Sequence, residues 1–230
     1  MKWEIDRVSK LSGRIYNCNR QITEVEFNSI KSVRFLNKIY ATSWELYNYK
    51  SLFPLCNEEI KLPFYEYPLV VVKGSTKIIL LSQTVNIVDV FQKEFLKSNF
   101  DLIVEKAYIR IHDIVSFLKA NRDEIYIPTT LHGTYLPKGD SLRNVSFYGE
   151  DILDSKIFTE NIDYFNFYKA GFKVNNETSQ FLLLGNTGTL SLNLVCRSNF
   201  NQSHEKNIEI SINITNDFIK FLIRNLFFNL

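Results

Sequence analysis

Glycine, proline and methionine are scarce in this chain: its 230 residues hold 8 Gly, 5 Pro and 1 Met. That excludes a collagen-like repeat and a Pro/Gly-rich disordered chain. Cysteine is nearly absent too. Cys18, Cys56 and Cys196 lie far apart and form no C-x-x-C pair, which excludes a disulfide scaffold and the paired spacing of a structural zinc site. Three reduced thiols in a reducing compartment is the expectation. No apolar run approaches the roughly 20 residues a membrane span needs. The most apolar segment, 218–230, is broken by Lys220 and Arg224. Neither sign of charge dominates, with 27 Lys and Arg against 25 Asp and Glu and a net charge of +2, so bulk charge does not select a nucleic-acid partner. The motifs G-x-S-x-G, H-E-x-x-H and G-x-G-x-x-G are missing. No metal and no cofactor is implied.

What is present is apolar and aromatic. Hydrophobic residues make up 45% of the chain and aromatics 14%, with 19 Phe and 12 Tyr, enough to bury a core without a covalent staple. Heavy use of Asn, Ile, Lys and Phe fits an AT-rich coding sequence, as in many bacterial or mobile-element genomes. The opening "MKWEIDRVSK" alternates charged and apolar residues and does not read as a secretion signal. A cytoplasmic protein is expected.

Periodicity gives a mixed order of elements. Residues 5–16 read as short strands around Gly13. Phe27, Ile30, Val33, Leu36, Tyr40, Trp44 and Tyr47 recur every three or four residues, which predicts a helix over 24–49. Pro54, Pro63 and Pro68 punctuate an irregular connector. "PLVVVKGSTKIILL" predicts a hairpin turning at Lys73-Gly74-Ser75-Thr76. A helix capped by Ser82 or Thr84 is expected next, then another running from about Val104 to Asn121. "EIYIPT" reads as a strand and 131–141 as turn chemistry around Gly133, Pro137 and Gly139. "LRNVSFY" reads as a short strand, "GEDI" as the start of a helical turn, and "IDYFNFYKAGFKV" as a turn followed by a strand. A second hairpin turns at Gly185-Asn186-Thr187-Gly188. "NIEISINI" alternates and predicts a half-buried strand, after which Thr215 or Asn216 would cap a last helix. The fold class is α+β: antiparallel β-hairpins with flanking helices, in a single domain over 1–230, compact or with lobes at 1–100 and 101–230.

Several constellations could carry chemistry. Arg197 and His204 form an R-x6-H pair suited to phosphoryl transfer, but between two predicted strands it reads as a polar hairpin tip. Glu59-Ile60-Lys61 has the E-x-K form of metal-dependent nucleases, without an aspartate at the usual short distance upstream. His112-Asp113 are adjacent on a helix and point apart. Lys31, Arg34 and Lys38 would share one helix face and, with Arg7, Lys10, Arg14 and Arg20, could receive phosphates, while Tyr16 or Tyr40 stacked on a base. The ordinary alternative is a solvated face. The segment 131–152 gathers His132, Lys138, Asp140, Arg143, Glu150 and Asp151 near strand ends, where sites concentrate; within it His132, Asp140 and Arg143 are the candidate catalytic residues.

The final apolar segment raises a question of partners. Phe218, Leu222 and Phe227 belong to a stretch that is apolar nearly all round, so it is buried either against another chain or in a groove of its own domain. The first functional reading is a non-catalytic cytoplasmic interaction protein. It would be a subunit or adaptor that meets a protein partner or a second copy through the C-terminal helix, within a complex that handles nucleic acid. The rivals are a phosphodiester- or nucleotide-processing enzyme with its site in 131–152 and a simple nucleic-acid binder using the basic helix face.

Overall fold

In the computed structural model the described residues are 10–23, 25–26, 33–35, 44–51, 65–81, 101–121, 125–136, 143–174, 180–193 and 204–228. They form an α+β fold of antiparallel hairpins with flanking helices. The chain divides into two compact units, one of Ser12–Lys106 with Met1–Arg7 and one of Ala107–Leu230 with Val8–Leu11.

In the first unit, strands β1 (Lys10–Cys18), β2 (Val33–Phe35), β3 (Trp44–Ser51), β4 (Tyr65–Val72), β5 (Lys77–Leu81) and β6 (Val104–Lys106) pair antiparallel in the order β2-β3-β4-β5-β1, with β6 also on β1. The hairpin at 73–76 forms as predicted. Val70 lies opposite Ile79, Gly74 takes a φ of +71°, and the Ser75 N–H donates to Val72 O at 3.2 Å. Leu69–Val72 and Ile78–Leu81 are buried throughout, which their unbroken apolar runs anticipate. Gly13 sits inside β1 because a Cβ there would stand 2.6 Å from the Leu80 carbonyl.

Two expectations fail in this unit. The helix over 24–49 begins, since Val25 and Glu26 are helical, but Val33–Phe35 and Trp44–Ser51 are the strands β2 and β3. All eight residues of β3 pair with β4, from Trp44↔Val72 to Ser51↔Tyr65. Aromatic residues at 44, 47 and 49 suit a pleated surface, and their spacing alone does not separate helix from strand. Pro68 lies within β4, opposite Asn48 and just before the β4–β5 register begins at Leu69↔Leu80, a one-sided place that tolerates a missing N–H. Pro54, Pro63 and the helix expected after Ser82 lie outside the described residues.

The second unit opens with α1 (Ile111–Asn121), whose start is later than expected because Val104–Lys106 is a strand. Then come β7 (Tyr126–Tyr135), β8 (Arg143–Tyr148), a 3₁₀ turn (Ile152–Asp154), α2 (Lys156–Asn161), a second 3₁₀ turn (Ile162–Tyr164), β9 (Phe165–Val174), β10 (Gln180–Gly185), β11 (Thr189–Asn193) and α3 (His204–Arg224). The sheet order is β11-β10-β9-β7-β8, and the hairpin turn at 185–188 forms as predicted. The interior is strongly aromatic: Phe158 stacks on Phe167 at 5.8 Å and 17°, and Tyr126 and Phe172 meet Phe218 at 4.9 and 5.3 Å.

"NIEISINI" is helical, not a strand, and Thr215 and Asn216 lie inside α3 instead of capping it. β-branched residues cost a helix at most about 0.7 kcal/mol each. Burial of Ile212, Phe218, Ile219 and Leu222 on one stripe returns about 1.5–3 kcal/mol per side chain, so packing decides. His204 therefore opens a helix and does not join two strands, while Arg197 lies outside the described residues. Phe218 and Leu222 are fully buried and Phe227 nearly so. Phe227 packs on Phe117 of α1. These three side chains fill their own unit, and the expectation that they meet another chain does not fit that burial.

Candidate functional site: the outer face of the second sheet

The strands of the second unit turn one face to α1, α2 and α3, and the other face carries His132. Their register settles which side chains share a face. Leu131 pairs with Phe147 on β8 and Ala170 on β9, all toward the core. His132 pairs with Ser146 and Lys169, on the opposite face. Thr130 and Tyr148 form the next outer pair, and Thr134 and Asn144 the one beyond.

Two irregularities shape this face. The β7–β9 register shifts between Pro128 and Thr130 and between His132 and Gly133. At the second shift Tyr168 is the extra residue of β9, so Tyr168 and Lys169 both leave the core face, while Phe167 and Ala170 on either side are buried. A bulge re-aims side chains in this way. Gly133 belongs to the strand and not to a turn, because a Cβ there would lie 2.6 Å from the Asn166 carbonyl.

His132 Nδ1 lies 2.9 Å from the Ser146 hydroxyl, and the Tyr148 ring stands edge-on to the imidazole at 5.7 Å. Burial, and then the Lys169 ammonium beside it, hold the imidazole below its ordinary pKa, so it is neutral at pH 7. Among the described residues no carboxylate orients it.

The predicted catalytic set is not assembled among the described residues. His132 is on the outer face of β7; Arg143 pairs with Tyr135 at the start of β8, three residues from Ser146 and so on the other face. Asp140 and Lys138 lie outside the described residues. Glu150 is drawn off to Lys173 at 2.8 Å, and Asp151 precedes the 3₁₀ turn without a side-chain capping bond. His112 stacks on Phe167 at 5.9 Å, while its neighbour Asp113 pairs with Arg110 at 2.9 Å, so the two do point apart as expected.

The basic helix face also changes. Arg34 is in β2, so helical spacing cannot align it with Lys31 and Lys38, which lie outside the described residues along with Tyr40 and the Glu59–Lys61 motif. Tyr16 is fully buried and cannot stack on a base. Arg20 is engaged by Glu26 through two hydrogen bonds, of 2.6 and 2.9 Å.

What sequence reasoning missed is the outer face itself. Tyr148, Tyr168 and Phe181 stand on it with 71%, 41% and 39% of their surfaces exposed. The five strands of this sheet contain no Asp or Glu, yet carry His132, Arg143, Lys169 and Lys173. The runs 125–136, 143–148, 164–174 and 180–193, none of which holds an Asp or Glu, were the available signal.

The described residues hold no cluster of three or more His, Cys, Asp or Glu able to bind a metal ion, and no helix among them is long and apolar enough to cross a membrane. No known protein family matches the sequence, and no curated protein is significantly similar to it.

Proposed function

We propose that this chain is a non-catalytic interaction protein, a subunit or adaptor that engages a macromolecular partner through the outer face of its second sheet. The supporting observation is the trio of exposed rings, Tyr148, Tyr168 and Phe181, on strands without a single carboxylate. Exposed aromatics together on a rigid sheet are the usual anchors of a contact surface. Two features weigh against the enzyme reading: among the described residues no carboxylate orients the His132–Ser146 pair as a serine nucleophile and its base require, and Arg143 lies on the other face of the sheet.

In-cell photo-crosslinking tests this. A photoreactive residue placed at Tyr148 should give a discrete adduct, and one placed at Lys156, an exposed position on α2, should not. No adduct from position 148, or equal adducts from both positions, overturns the reading.

A further inference from the structure

We infer that the partner on this face is a single strand of nucleic acid, held by stacking on Tyr148, Tyr168 and Phe181 and by phosphate contacts to Lys169; this rests on the proposed interaction role.

Register lays out the face in rows across the sheet. Tyr148, Thr130, Gly171 and Leu183 form one row, and Ser146, His132, Lys169 and Gly185 the next. Lys173 and Phe181 pair in a row on the other side. With strands about 4.8 Å apart and residues about 3.3 Å apart along them, the three rings sit at the corners of a triangle roughly 15 Å on a side. Rings that far apart cannot satisfy one another and offer separate platforms. Every base has a π-face, so such platforms suit a strand whose bases are splayed and unpaired.

Charge selects the occupant. A protein partner with an apolar hot spot would fit the rings but has no need of strands without carboxylates. A polyanion does: the five strands contribute none, and Glu150, which reaches Lys173 on this face, is paired with it, so neither sets an unpaired negative charge against a phosphate. Lys169 sits between His132 and the Tyr168 bulge, in the middle of the face. Lys173 is already neutralised by Glu150, so Lys169 is the cation that governs phosphate binding. Neutral His132, and Ser146, Asn144, Asn166, Thr130 and Thr134 around it, supply hydrogen-bonding groups to base edges and sugar hydroxyls.

Fluorescence anisotropy of the full chain with a labelled single-stranded oligo-U or oligo-dT probe tests the inference. Binding should weaken with salt. Tyr148→Ala and Tyr168→Ala should each reduce affinity about tenfold, the size of one lost stacking contact, and Lys169→Gln should lower the slope of log affinity against log salt by about 0.7. All three side chains are solvent-facing, and circular dichroism should show each variant folded. Duplex of the same sequence should compete weakly. No binding at low salt, or equal binding by wild type and all three variants, overturns the nucleic-acid inference. If the crosslink from position 148 then proves to be protein, sensitive to protease and not to nuclease, the interaction reading stands and only this occupant is wrong. If there is no crosslink either, both fall.

Discussion

Cys18 shows how little a residue's identity says before its surroundings are known. In sequence it is one of three scattered thiols. In the structure it is buried at the end of β1, its N–H bonded to Thr76 O at 2.8 Å, and burial pushes its thiol up to about 12 despite the nearby Lys77 and Arg20. A thiol reacts as the thiolate, so Cys18 is expected to be inert in the folded protein at pH 8. With Cys56 and Cys196 replaced by serine, maleimide should add nothing to the native chain and one equivalent to the unfolded chain, read by mass. Stoichiometric native labelling would contradict the burial. Leu226 is the opposite case, a residue whose identity conflicts with its backbone. It takes a φ of +57° and leaves 73% of its surface exposed. A side chain in the left-handed region costs about 1–2 kcal/mol, and its exposure means little packing is lost with it. Leu226→Gly should therefore raise stability by about 1 kcal/mol in chemical denaturation.

Among the elements, two helix ends are closed by defined hydrogen bonds. α3 closes with the Phe227 N–H on Leu222 O at 3.0 Å and the Leu226 N–H on Ile223 O at 3.1 Å, the paired bonds of a Schellman cap. Phe221 and Phe227 supply its hydrophobic contact at 5.8 Å. The Arg110 guanidinium then donates to Leu226 O and the Arg110 N–H to Phe227 O, tying the cap to the segment before α1. At Thr23 the reciprocal bonds of a capping box are present: Glu26 N–H to Thr23 Oγ1 at 3.3 Å and Thr23 N–H to Glu26 Oε2 at 2.9 Å. Arg20 chiefly, with the Thr23 N–H next, holds the Glu26 carboxyl down to about 2. Its folded pKa is lowered, so its contribution is complete above an unfolded value near 4.5 and is lost as pH falls toward 2. Melting curves from pH 5 to 2 should show that loss in the wild type and less of it in Glu26→Gln. Thr23→Ala should cost about 1 kcal/mol.

Elements were misread where local pattern and distant packing disagreed. Residues 44–49 were expected in a helix and are strand, and residues 207–214 were expected as a strand and are helical, because what decides each lies elsewhere in the chain: β4 for the first, and for the second the interior that buries Ile212 and Ile214. The two hairpins were legible because a turn dictates the pairing of its own flanks.

For the whole molecule, the aromatic content finds its use in the second unit. Phe218 is fully buried and packs on Tyr126, Phe172 and Phe221. Phe218→Ala should destabilise the protein by about 3–5 kcal/mol and leave its light-scattering mass unchanged. A change in oligomeric state with little loss of stability would restore the idea that this helix meets another chain.

By itself the sequence determined the α+β class, both hairpins and their turns, and the strand character of "EIYIPT", "LRNVSFY" and "FNFYKAGFKV", because these follow from alternation and turn chemistry within a few residues. It also pointed to His132 in the stretch 131–152 as a place of interest. Only the tertiary structure decided that His132 and Arg143 face opposite ways, that Phe218, Leu222 and Phe227 belong to the interior, and that Tyr148, Tyr168, Lys169 and Phe181 share one surface. The physical reason is register: side chains alternate along every strand, so one bulge or a shift of one residue moves a group from the core to solvent, and no local pattern records where distant strands will meet.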